Sequence, residues 1–168
     1  MSSGPTYKVS FRRRRESKTD YVKRLALLKS EKPRLVVRKT NNSTIAEVVA
    51  YSPKGDVVRA FFSSAGLTKL GWKGHTGNIP AAYLAGYVCA KKALKAEVKE
   101  AVLDIGLASP VHGSRVFAAL KGAIDAGLGI PADKKVFPGD ERVSGKHINE
   151  ETPKNFDEMK KIIDKEFG

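Results

Sequence analysis

Arg12, Arg13, Arg14 and Arg15 put four consecutive guanidiniums where each repels the next. Lys8 precedes the run, and Lys18, Lys23 and Arg24 follow it. Arginine's planar fork of donors matches phosphate oxygens, and its flat face stacks on bases. A run of like charge can also be a merely solvated segment. The charge balance argues otherwise here: residues 1–40 hold thirteen Lys and Arg against three acids, and the other 128 residues hold 18 against 15. A leader of +10 on a body of +3 calls for a partner with dense negative charge, and a phosphate backbone is the commonest. Tyr7, Phe11 and Tyr21 are interleaved with the cations and could offer faces to unpaired bases. Nothing adjacent to Phe11 builds a core around it, which favours contact with a partner. Tyr21 could equally pack beneath its own helix.

A second candidate is the segment Leu70-Gly71-Trp72-Lys73-Gly74-His75-Thr76-Gly77. Its glycines permit close backbone approach, Lys73 supplies charge, and Trp72 supplies a stacking face. It leads into a helix capped by Asn78, whose first N–H groups favour phosphate. A plain turn is the competing reading. It is no nucleotide-triphosphate loop, because no Gly-Lys-Ser/Thr follows. A third candidate is the end of the first strand and its turn, Arg38, Lys39, Asn41 and Asn42. These could extend the positive surface or be a solvated hairpin tip.

Catalysis fares worse. A single cysteine, Cys89, excludes an internal disulfide and a cysteine-based zinc site, and it sits among small apolar residues as a buried hydrophobe. His75, His112 and His147 lie too far apart to chelate. No serine-nucleophile or dinucleotide motif is present. No metal and no cofactor are expected. The element order suggests one alternative, a ribonuclease-H-like metal-dependent nuclease, which clusters carboxylates beginning on its first strand. Here that strand carries Arg34, Arg38 and Lys39 and no acid, while Asp104, Glu47 and Asp56 are separated in sequence.

These side chains need a scaffold. At 168 residues and 41% hydrophobic content the chain can bury a core as one domain. No apolar stretch approaches the roughly 20 residues of a membrane span, and the N-terminus has no apolar signal block. Residues 1–16 read as extended. A helix over Thr19–Ser30, capped by Thr19, carries Tyr21, Val22, Leu25 and Leu28 at helical spacing and stops before Pro33. Strands Arg34–Lys39, Thr44–Tyr51 and Asp56–Ser63 follow, joined by turns at Asn41-Asn42 and Pro53–Asp56. A helix from Asn78 to about Lys99 buries Tyr83, Tyr87, Ala90, Leu94 and Val98. Then come a short strand over Ala101–Gly106 and a helix capped by Ser114 that presents Val116, Phe117, Leu120 and Ile124 and ends at Gly127. Gly127–Gly145 reads as loop, and a helix from Thr152-Pro153 carries Phe156, Met159, Ile163 and Phe167. The fold class is α/β: one mixed sheet in β-β-β-α-β-α order, after a basic extension and helix and before a C-terminal helix. Residues 1–32 form the extension and helix, 33–130 the core, and 131–168 a loop and helix.

Several blocks carry a resemblance. They are Gly4-Pro5-Thr6-Tyr7-Lys8-Val9, Phe11 to Glu16, Lys18 to Tyr21, Arg24-Leu25, Lys32 to Lys39, Thr76 to Leu84 and Glu100 to Gly106. Gly113 to Leu128 is the strongest. Together they resemble the archaeal large-subunit ribosomal protein that binds 5S rRNA, in the family of bacterial L-eighteen and eukaryotic L-five, over roughly residues 4–131. The resemblance implies a cytoplasmic, non-catalytic component of the central protuberance. It would attach 5S rRNA to 23S rRNA and to neighbouring ribosomal proteins. It further implies rRNA contacts at Arg12, Arg13, Arg14, Arg15, Lys18, Tyr21 and Arg24, and at Arg38, Lys39, Trp72, Lys73, Thr76 and Asn78.

Overall fold

The three strands β1 (Arg34–Lys39), β2 (Thr44–Ala50) and β3 (Val57–Ser63) are rich in β-branched and other apolar residues, and residues suited to turns follow β1 and β2. In the computed structural model, which describes residues 4–167, they form an antiparallel meander. Thr40 and Ser43 tie the first turn with a 2.8 Å backbone hydrogen bond. Gly55 supplies the second turn's positive φ of 145°. The fourth strand, β4 (Val102–Asp104), lies parallel to β1 and aligns Arg34 with Val102 and Val36 with Asp104. The sheet order is β3-β2-β1-β4, so the sheet is mixed and β3 is an edge.

Two short helices precede the sheet: α1 (Arg12–Arg15) and α2 (Tyr21–Leu28). Among the described residues α3 (Ile79–Lys95) lies between β3 and β4, and α4 (Arg115–Asp125), α5 (Asp140–Ser144) and α6 (Glu151–Phe167) follow β4. Leu35, Val37, Ala46, Val48, Ala60 and Phe62 project from one face of the sheet into a single buried cluster with α3, α4 and α6. Because α3 is surrounded, it is buried on almost every side from Ile79 to Ala90. Gly86 and Gly122 let α3 and α4 cross with their backbones touching: a Cβ on Gly86 would collide with the Ala119 carbonyl, and one on Gly122 with the Tyr83 carbonyl.

The last helix, α6, buries Phe156, Met159 and Ile163. The Tyr83 hydroxyl donates to Asp125 and the Tyr87 hydroxyl donates to Asp164, each at 2.7 Å, and Lys160 lies over both rings. Burial and then the Asp164 hydrogen bond push the Tyr87 phenol up to about 12. Burial also pushes the Cys89 thiol up to about 12, as befits a core residue.

The mixed sheet and the element order match the reading from sequence, but several local features differ. Residues 4–10 lack helix or strand, whereas Arg12–Arg15 form a helical turn rather than extended chain; residues 1–3 lie outside the described residues. Asp20, not Thr19, caps α2 by accepting from the Val22 and Lys23 N–H groups; the Thr19 hydroxyl instead accepts from Arg13 Nε at 2.8 Å. The α3 helix stops at Lys95, because Glu97 turns to a φ of 62° and Val98 N–H bonds back to Ala93. Leu94 and Val98 are consequently only partly buried. Ser114 stands at the N-cap position of α4, yet its hydroxyl makes no capping bond and is buried without a partner among the described residues. The segment expected as loop after Gly127 contains a 3-10 turn at Lys134–Val136 and the helix α5. Asn149 accepts from the Thr152 N–H at 2.8 Å, so α6 begins at Glu151.

Candidate nucleic-acid interface

The Arg12–Arg15 side chains are exposed around α1. Arg12 lies 3.7 Å from Glu16, and Lys18 pairs with the same carboxylate at 2.8 Å. Among the described residues, Arg13, Arg14 and Arg15 have no carboxylate within salt-bridge distance. Phe11, whose neighbours in sequence offered it nothing to pack on, meets the Tyr21 ring at a centroid distance of 5.1 Å, tilted by 56°. It nevertheless stays 72% exposed. Folding the leader back over the start of α2 thus creates a small aromatic ledge flanked by cations. Tyr7 and Lys8 are exposed ahead of it.

The outward and inward faces of α2 are not those its periodicity suggests. Val22 and Leu25 point to solvent, 71% and 60% exposed, and no residue of α2 is fully buried. Tyr21, Arg24, Leu27 and Leu28 are the half-buried residues. The reason is an ionic ladder on the sheet face beneath the helix. Arg24 donates to Asp56 at 2.9 Å, and Asp56 accepts from Arg34 at 2.6 Å. Arg34 also donates to Asp104 at 2.7 Å, and Asp104 accepts from Arg38 at 3.0 Å and from the Gly106 N–H at 2.9 Å. Five charges alternate in sign, plus at both ends. Burial alone raises the Asp104 carboxyl. The Arg38 charge and hydrogen bond, with help from Gly106 and Arg34, outweigh that and hold it below the usual carboxylate range. The leader, α2 and the β4 end together enclose a recess of about 370 Å³ walled by Arg13, Lys18, Lys23, Arg24 and Arg38.

The glycine-rich loop and the β1–β2 turn come together as a second cluster. The Thr76 hydroxyl donates to the Asn42 carbonyl at 2.5 Å. Arg115 at the start of α4 donates to the carbonyls of Thr40 and Gly77 at 2.9 and 2.8 Å, clamping turn to loop. Asn41, Asn42 and Lys39 are exposed on this corner, as is Lys73. Asn78 spends its side-chain oxygen on the Ala81 N–H, 2.9 Å away, as helix cap. Trp72 does not supply the stacking face its type suggested. It is only 4% exposed, and a Cβ on Gly74 would come within 2.9 Å of its ring. Its indole N–H points to the His75 carbonyl at 3.4 Å. An indole that large is worth more as core than as platform.

The functional residues that sequence reasoning missed are Asp56 and Asp104 as partners of arginines, and Arg115 as the clamp. One signal was present: Arg34 and Asp104 each adjoin a short apolar strand stretch, Leu35–Val37 and Val102-Leu103, and charges drawn in beside such stretches need partners. The same geometry bears on the nuclease alternative. Guanidiniums occupy Asp104 on both oxygens and Asp56 on both oxygens, so these carboxylates are already committed. Glu47 stands on β2 in the same cross-strand row as Asp104, but Val36 of the intervening strand separates the two.

Fold and surface define the class: a small α/β body that concentrates its cations on an N-terminal arm and an adjoining corner. The family of large-subunit ribosomal proteins comprising 60S L5 and 50S L18 matches residues 5–99 and 95–133. The chain belongs to this family, and is therefore a structural protein of the cytoplasmic large ribosomal subunit that engages rRNA.

Proposed function

We propose that the protein binds 5S rRNA through the leader and α2 and helps attach it to 23S rRNA and neighbouring proteins in the central protuberance. The carrying observation is the set of exposed guanidiniums Arg13, Arg14 and Arg15, which have no carboxylate partner among the described residues and lie beside the Phe11–Tyr21 ledge. Phosphates answer the cations, and a splayed base can lie on the ledge; the narrow major groove of A-form RNA would refuse a helix. Lys8, Lys18, Arg24 and Arg38 continue this surface. Lys39, Asn41, Asn42, Lys73, Thr76 and Asn78 form the second binding corner, and Trp72 supports that corner from inside. The role is structural, not catalytic. Purifying the full chain from a lysate containing total cellular RNA tests the reading: selective retention of 5S rRNA is expected, and indiscriminate or absent RNA would overturn it.

A further inference from the structure

We infer that Asp56 is a positioning residue for RNA binding: an acid that latches α2, and with it the cationic leader, onto the sheet. This role rests on the proposed function and belongs to a residue that charge alone would count as unfavourable.

Three observations carry it. First, α2 has eight residues and none is fully buried. A helix that short is marginal in water by itself, so its order depends on what holds it down. Second, among the described residues its one charged tether to the strand meander is Arg24 to Asp56 at 2.9 Å, and the same carboxylate takes Arg34 at 2.6 Å on its other oxygen. Arg34 has a side chain only 4% exposed and is fixed from its far side by Asp104. Asp56 is therefore gripped between a fixed guanidinium and an element that needs holding. Third, Asp56 follows the Gly55 turn, where the chain direction is set by the β2–β3 pairing, so the anchor point belongs to the sheet.

The geometry makes an unusual sign prediction. Removing an acid near an RNA-binding surface ordinarily strengthens binding, because it relieves repulsion of phosphate. Asp56→Asn keeps the shape but takes the ionic grip from Arg24. Undocking α2 then lowers the fraction of molecules that present the leader correctly, and apparent affinity falls by that fraction.

The experiment measures 5S rRNA affinity of the full chain, Asp56→Asn, Asp56→Glu and Glu31→Gln at one ionic strength. Glu31 is exposed, makes no ion pair among the described residues, and its neutralisation adds the same charge. Asp56→Asn is expected to weaken binding about fivefold or more. Glu31→Gln should leave affinity equal or tighter, and Asp56→Glu should recover most of the deficit. Limited trypsin digestion without RNA reads the latch separately: cleavage after Lys23 and Arg24 should accelerate in Asp56→Asn. Affinity of Asp56→Asn equal to or above that of the wild type overturns the inference, and so does unchanged cleavage. If the wild-type chain ignores 5S rRNA while cleavage still accelerates, the latch stands and the functional reading fails.

Discussion

Arg34 on β1 and Asp104 on β4 meet at 2.7 Å beneath α2, with both side chains less than one-tenth exposed. The two residues sit two register steps apart on neighbouring parallel strands, Arg34 opposite Val102 and Asp104 opposite Val36. Each charge would be costly there alone. Together, and extended by Asp56 and Arg38, they turn a buried liability into the fixed point from which the N-terminal arm is hung.

Removing Asp104 leaves buried Arg34 with Asp56 as its remaining acidic partner and strands the guanidinium edge that faced Asp104, so Asp104→Ala should destabilise the protein by about 1–3 kcal/mol. Urea denaturation followed by circular dichroism measures it. A change under about 1 kcal/mol would mean that the remaining hydrogen bonds satisfy Arg34 without Asp104.

The Asp104 carboxyl lies lower in the folded protein than in the unfolded chain, where it titrates near about 3.9. A depressed acid contributes stability that is complete above the unfolded value and is lost as pH falls through the folded one. Stability should therefore decline as pH drops below about 4, and Asp104→Asn should show a shallower decline over that window. Parallel slopes for the two proteins would assign acid sensitivity to other carboxylates.

Deleting residues 1–18 should leave the sheet and α3 intact while sharply reducing rRNA affinity. The slope of log affinity against log salt should shrink by about 0.7–0.9 for each phosphate that the deleted cations had neutralised. Filter binding between low and moderate salt provides the slopes; identical slopes would place the RNA grip elsewhere.

Gly86→Ala and Gly122→Ala each push a methyl into the backbone of the facing helix. Each should cost about 1–3 kcal/mol or more, since neither carbonyl can swing aside as a side-chain end would. A thermal melt that barely moves for either variant would show that α3 and α4 can separate cheaply.

Much of this scaffold was legible in the chain. The apolar, β-branched runs in RLVVRK and TIAEVVA, with the asparagine turn between them and the Gly55 turn after the second, defined the meander to within a residue. Asn78 and Pro80 marked the start of α3 because capping is local chemistry. What escaped was set by distant partners. The apolar residues of α2 suggested an inward stripe, yet Arg24 turns inward to reach Asp56, 32 residues away, and Val22 and Leu25 are rotated outward. Trp72 looked like a platform because its neighbours are glycine and lysine; only the folded chain shows Gly74 closing over it. The choice between Thr19 and Asp20 as cap turned on Arg13 claiming the Thr19 hydroxyl.

The edge strand β3 leaves Val57, Val58 and Phe61 about half uncovered, beside a row of backbone groups with no neighbouring strand among the described residues. Such an edge invites a second molecule to pair with it, and in the free protein the net charge of +13 opposes that approach. The cations thus have a colloidal duty besides any recognition. A short polyanion that neutralises the arm without shielding β3 should turn a clear solution turbid.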